Sequence, residues 1–151
     1  MPEVAALPVS RRRVLGQGLG ATLALAAGPV LVGPAAARAQ AAEDGPIIAA
    51  RVGLEQNSSY AYGLARAQAG LPAPVRALLD QIHAHETQHV GAMLTLLAQV
   101  GGAAPLRPTA PSQLDPITRR LALARGRAAV LTAAVALEQA SVASYYAAAR
   151  D

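Results

Sequence analysis

The chain has 151 residues, enough for one domain, with 13 basic against 9 acidic side chains and a formal charge of +4. It contains no Cys, Lys, Trp or Phe, which excludes disulfides, thiolate metal ligands, lipid-modified cysteines and iron–sulfur clusters. The excess charge sits near the start, where Arg11, Arg12, Arg13 and Arg38 face Glu3; the remainder is close to neutral and has no basic patch with interleaved aromatics, so nucleic-acid binding has no support.

In chain order, Ser10-Arg11-Arg12-Arg13-Val14-Leu15 comes first and resembles a twin-arginine export signal. Val14 stands where Phe is usual and Gly16 where Lys is common. An apolar, glycine-containing run follows from Val14 to Gly33, and Ala37-Arg38-Ala39 offers a small-x-small cleavage site before Gln40. Residues 1–39 are therefore expected to be a signal peptide read by the twin-arginine machinery, with the mature chain exported to the periplasm or beyond. Left uncleaved, the same run would anchor the chain in a membrane. The resemblance also implies export of a folded protein, often with its cofactor loaded.

Residues 40–46 read as a mobile new terminus, and Asp44-Gly45-Pro46 as a helix start with Pro46 near the first turn. The first helix is expected to run to about Ala69 and stop at Gly70, with Ile48, Val52, Glu55, Ser59 and Tyr62 on one stripe. Leu71-Pro72-Ala73-Pro74 is a short turn, which implies an antiparallel helix hairpin. The second helix runs from about Ala73 to Val100 and ends at Gly101-Gly102. Pro105, Pro108 and Pro111 mark an extended connection long enough to cross a bundle end. Asp115-Pro116 looks like an N-cap followed by proline at the first helical position. A last helical region fills most of 117–150, with a break expected at Gly126 and an inner stripe of Leu131, Val135, Glu138, Val142 and Tyr145. No stretch alternates strictly between apolar and polar residues, so no strand is expected.

The second helix carries all three histidines, in His83-Ala84-His85-Glu86-Thr87-Gln88-His89. Leu79, Ile82, Glu86, His89, Met93, Leu96 and Val100 follow the spacing of a packed seam, so Glu86 and His89 occupy positions where Leu or Ile would be expected. Burying an unpaired carboxylate costs several kcal/mol, and a metal ion is an economical partner for it. Two chemistries fit. Glu86-x-x-His89 is the helix motif of di-iron carboxylate bundles, and His85-Glu86-x-x-His89 is the H-E-x-x-H of zinc peptidases. The peptidase reading lacks a third ligand nearby: Gly91 is one place early for the extended motif, and Thr95 stands where a third His belongs. A third, non-catalytic reading has the glutamates paired with Arg or with hydrogen-bond donors inside a structural or interaction bundle.

An internal repeat favours the first chemistry. Val52-Gly53-Leu54-Glu55-Gln56-Asn57-Ser58 aligns without gaps on Val135-Ala136-Leu137-Glu138-Gln139-Ala140-Ser141, and Tyr62 then aligns on Tyr145. With Leu54-Glu55-Gln56, His85-Glu86-Thr87-Gln88-His89 and Leu137-Glu138-Gln139-Ala140 on three successive helices, the stretch 47–151 resembles the ferritin-like superfamily, in particular exported bacterial ferritin-like domain proteins. The resemblance implies an all-α, antiparallel bundle and a metal site built from a Glu on each of two helices and a Glu-x-x-His on each of the other two. Glu55, Glu86, His89 and Glu138 match that pattern; a second Glu-x-x-His does not occur in the sequence. The expectation is thus three main helices of a bundle whose fourth is missing, holding one or two iron ions, or manganese, in a partial di-iron carboxylate site. Ferroxidase-like oxidation of Fe(II) is the implied activity. A homodimer could complete the bundle. His85, Tyr62 and Tyr145 are placed around the ligands, the tyrosines two turns from Glu55 and Glu138, and His83 is expected to face solvent.

Overall fold

Alanine and leucine dominate the sequence, and both favour helix. The computed structural model describes the backbone of residues 34–148 and the side chains of residues 43–147. Among the described residues there are four helices: α1 (Pro34–Arg66), α2 (Ala73–Gln99), α3 (Pro116–Leu123) and α4 (Gly126–Ala148), with a 3-10 turn at Pro111–Gln113. No strand occurs among the described residues, in agreement with the all-α expectation. The twin-arginine stretch with Arg11 and Arg12 lies outside the described residues. The chain divides into two compact units: Leu31–Glu138 forms one, and the described part of the other is the end of α4, residues 139–148.

Helix α1 starts earlier than the expected Pro46. The chain is already helical at Pro34, the first described residue, and stays so through Ala39 and Gln40, with Pro46 inside the helix. The alanine-rich segment explains the extension, because alanine has the highest helix propensity. The expected cleavage point after Ala39 therefore lies in continuous helix in the uncut chain.

Gly70, at φ 79°, turns the chain between α1 and α2. Arg66 and Asp80 bridge the two helices at 3.1 Å near this turn, at an exposed position where the pair adds little stability. Helix α2 ends in a Schellman motif. Gly101 has φ 71°, its N–H reaches Ala98 O at 3.1 Å, and the N–H of Gly102 reaches Leu97 O at 2.9 Å. A side chain on Gly102 would collide with Leu97.

The connection back is pinned by polar contacts. The side-chain oxygen of Gln113 accepts from the N–H groups of Thr109 and Ala110 at 2.7 and 3.0 Å. Arg119 donates to the carbonyls of Pro111, Ser112 and Leu114. Asp115 caps α3 by accepting from the N–H groups of Ile117 and Thr118. Burial raises the Asp115 pKa, but the bonds from Thr118 and the backbone outweigh it and hold the carboxyl below its ordinary value. The expected break in the last helical region falls at Ala124-Arg125, and Gly126, at φ 75°, opens α4.

Two apolar clusters hold α1 and α2 together. One contains Ile48, Val52 and Leu97, with Met93 and Leu96 against it. The other contains Tyr62, Ala65, Leu79, Leu121, Val130, Ala133, Ala134 and Leu137, among others. The inner face of α4 is therefore Val130, Ala133, Ala134 and Leu137, whereas Val135 and Val142 of the expected stripe are exposed. Alanine allows close approach of helix backbones, so this face packs tightly although its letters are small. On α2 the buried series passes from Leu79 through the half-buried Ile82 and Glu86 to Val90 and Leu97. That follows the 3.6-residue period of a straight helix, which drifts off a 3.5-residue seam and leaves His89 on the flank.

Leu121 has no exposed surface and Val135 is 57% exposed. Leu121→Ala should lower unfolding stability in urea by about 2–5 kcal/mol, and Val135→Ala by less than about 1 kcal/mol. Equal losses would contradict this assignment of inside and outside on the last two helices.

Candidate metal centre

Along both long helices the polar residues of interest lie between the two apolar clusters. On α1, Glu55 follows Val52 of one cluster and precedes Ala61 and Tyr62 of the other. On α2, Glu86 and His89 fall between Ile82 and Met93. Antiparallel pairing of α1 and α2 brings the three together. Glu55, Glu86 and His89 each offer one ligand atom, and these atoms all lie within 4.8 Å of one another. His89 Nδ1 stands 3.6 Å from a carboxylate oxygen of Glu55.

The group grades from inside to outside. Glu55 is buried, Glu86 half-buried, and the side chain of His89 is 51% exposed. The expectation that His89 sits in the seam is thus corrected: it forms the solvent side of the group. Glu138 of α4 is not one of the three; its carboxylate accepts a hydrogen bond from the phenol of Tyr62 at 2.6 Å. Tyr62 has no exposed surface and reaches Glu138 across 76 positions of sequence. Tyr145 is half-buried and belongs to the C-terminal unit.

His85 is exposed and outside the group, so the H-E-x-x-H letters do not assemble as a pair of histidine ligands. His83, expected in solvent, is half-buried over Gly63 and lies 3.5 Å from Arg66. Burial first, then the Arg66 charge, hold its imidazole below the ordinary pKa. Arg51, one turn before Glu55 on α1, is also buried and brings a fixed positive charge into this part of the hairpin. Its spacing of four from Glu55 was visible in the sequence.

A family profile described as ferritin-like domain matches residues 48–151. The chain belongs to the ferritin-like domain family. No curated protein and no solved structure matches it. Two carboxylates and an imidazole from adjacent helices are a donor set suited to iron or manganese, hard to borderline ions that favour oxygen and nitrogen ligands.

The electrostatics of the ferritin-like domain fit a cation at this place. Glu86 is pushed up to about 9, first by burial, then by its hydrogen bond with Glu55, and then by the negative charges of Glu55 and Glu138. Near neutral pH it therefore carries a proton and donates to Glu55. Burial and the bond to Glu138 raise the Tyr62 phenol far above its usual range, so it stays a donor. The arrangement is one in which a proton stands where a metal would do more.

The sign of the pH effect follows. An acid whose pKa rises from 4.5 to about 9 on folding contributes stability that is full below the unfolded value and lost as pH climbs through the folded one. The metal-free protein should lose melting temperature steadily between about pH 5 and pH 9, and Glu86→Gln should flatten that slope. Identical pH profiles for the two proteins, measured by circular dichroism in the presence of chelator, would refute the coupling of Glu86 to Glu55.

Proposed function

We propose that this ferritin-like domain binds a redox-active divalent metal ion, iron or alternatively manganese, through Glu55, Glu86 and His89. The observation that carries the reading is the convergence of the three ligand atoms within 4.8 Å. Glu55 and Glu86 supply the negative charge, Glu86 by giving up its proton, and His89 supplies a neutral nitrogen from the exposed side. Iron held there would supply one-electron redox chemistry, with oxidation of Fe(II) by dioxygen or peroxide as the ferroxidase-like reaction. Tyr62 fixes the orientation of the Glu138 carboxylate beside this group. A second ion near Glu138 needs further ligands, which a second copy of the chain could provide as a homodimer. In this reading Arg11-Arg12 belong to an export signal, and cleavage between Ala39 and Gln40 would release the mature domain outside the cytoplasm; the resemblance of the leader supports it.

A second reading is a non-catalytic bundle with a vestigial site. It is favoured by the proton on Glu86, which lets the two acids meet without an ion.

Titration of the purified chain with Fe(II) under anaerobic conditions, and with Mn(II), separates the two. Metal binding predicts saturation at about one ion per chain and at least a tenfold loss of affinity in Glu55→Ala and Glu86→Ala, with His85→Ala unchanged. Subsequent exposure to oxygen or peroxide tests oxidation of the bound iron. No saturable uptake, with stability indifferent to chelator, would leave the non-catalytic bundle. Zinc retention lost in His85→Ala would instead favour the peptidase reading.

A further inference from the structure

A cleft of about 390 Å³ lies between α1, α2 and the proline-rich connection, on residues that alternate in sequence with those of the metal centre. Gln56, Ser59, Thr87, Gly91 and Arg107 line it. Gln56 is only 5% exposed, and its side-chain oxygen is buried without a hydrogen-bond partner. A buried amide oxygen left unpaired is costly, and native proteins seldom keep one without a use. The Thr87 hydroxyl donates its proton to the His83 carbonyl at 2.8 Å and accepts from the Ser59 hydroxyl at 3.3 Å. Tyr60 donates to the carbonyl of Thr109 at 3.0 Å and so ties the connection carrying Arg107 to α1. Arg107 is the one charged residue among those lining the cleft.

We propose that this cleft binds a small organic acid bearing a hydroxyl or amino group beside its carboxylate. The carboxylate answers the Arg107 guanidinium, whose planar donors suit that group. The O–H or N–H of the ligand donates to Gln56, whose terminal torsion is soft enough to swing the carbonyl into the cleft. Ser59 can turn its proton from Thr87 to the ligand carboxylate, and Thr87 keeps a lone pair to accept from a ligand donor. The volume lies at the lower end of the range for small-molecule sites, which limits the ligand to a handful of carbons. Gly91 supplies the space: a Cβ there would meet nothing within 4 Å. The site requires no metal and stands whether or not the metal centre is occupied.

The test is nuclear magnetic resonance of the labelled, chelator-treated full chain, following the Gln56 side-chain amide and the Arg107 Nε–H. The probes are lactate and alanine, with propionate as the analogue lacking the donor. Lactate or alanine should shift both signals saturably, with half-saturation below about 10 mM. Propionate should bind at least about tenfold more weakly, because a site built around a hydrogen bond rejects the analogue that cannot make it. Gly91→Met fills the cleft while raising helix propensity, so it should fold and lose the response; Arg107→Gln should weaken it at least tenfold. Overturning results are an absence of saturable shifts with either probe, equal affinity for propionate, or a response that survives Gly91→Met.

Discussion

The arrangement of the hairpin follows from one constraint: two carboxyl groups, Glu55 and Glu86, meet where neither is fully in water. Like charges at short range in a low-dielectric setting cannot both ionise without a counter-charge. The protein meets the constraint with a proton on Glu86, which lifts its pKa to about 9, and with the imidazole of His89 beside Glu55. The apolar clusters above and below fix the two helices and so prevent the acids from moving apart. Helix register and site electrostatics are thereby one problem: a hairpin that slid by a turn would separate Glu55 from Glu86 and lose the burial of Val52 and Leu97 together.

Much of this could be read from letters. Glu55, Glu86 and His89 stood out because polar residues occupied core-like positions of helices that were otherwise apolar, and the helix hairpin followed from the turn at Leu71–Pro74. The same logic identified Glu138, through the repeated Leu-Glu-Gln, but not its partner. The bond from Tyr62 depends on how α1 and α4 face each other, and that is set by alanines, whose lack of shape leaves the rotation of a helix undetermined in sequence. Hence the sequence pattern puts the inner stripe of α4 one residue off, with Val135 in place of Ala134. The displacement of His89 to the flank has a related cause. A seam of three- and four-residue steps and a straight helix diverge over four turns, and only packing decides which residues remain inside.

Other residues were missed because nothing local marks them. Gln56 next to Glu55 looks like an ordinary polar helix residue; its burial arises from the connection folding back over α1, held by Tyr60 and Gln113. His83 looked solvent-facing until Gly63, on the neighbouring helix, made room for its ring. Arg51 was legible at four residues before Glu55, yet its burial required the tertiary structure. The helical stretch ahead of Pro46 reflects alanine propensity carrying the helix past the start that Asp44-Gly45-Pro46 suggests.

The central claim is that a cation and the Glu86 proton compete for the same place. Calorimetric titration of Mn(II) into the metal-free chain near pH 7, repeated in buffers of different protonation enthalpy, counts protons displaced on binding. The account predicts about one proton released per ion bound and none in Glu86→Gln. Metal uptake without proton release, or no uptake at all, would contradict it.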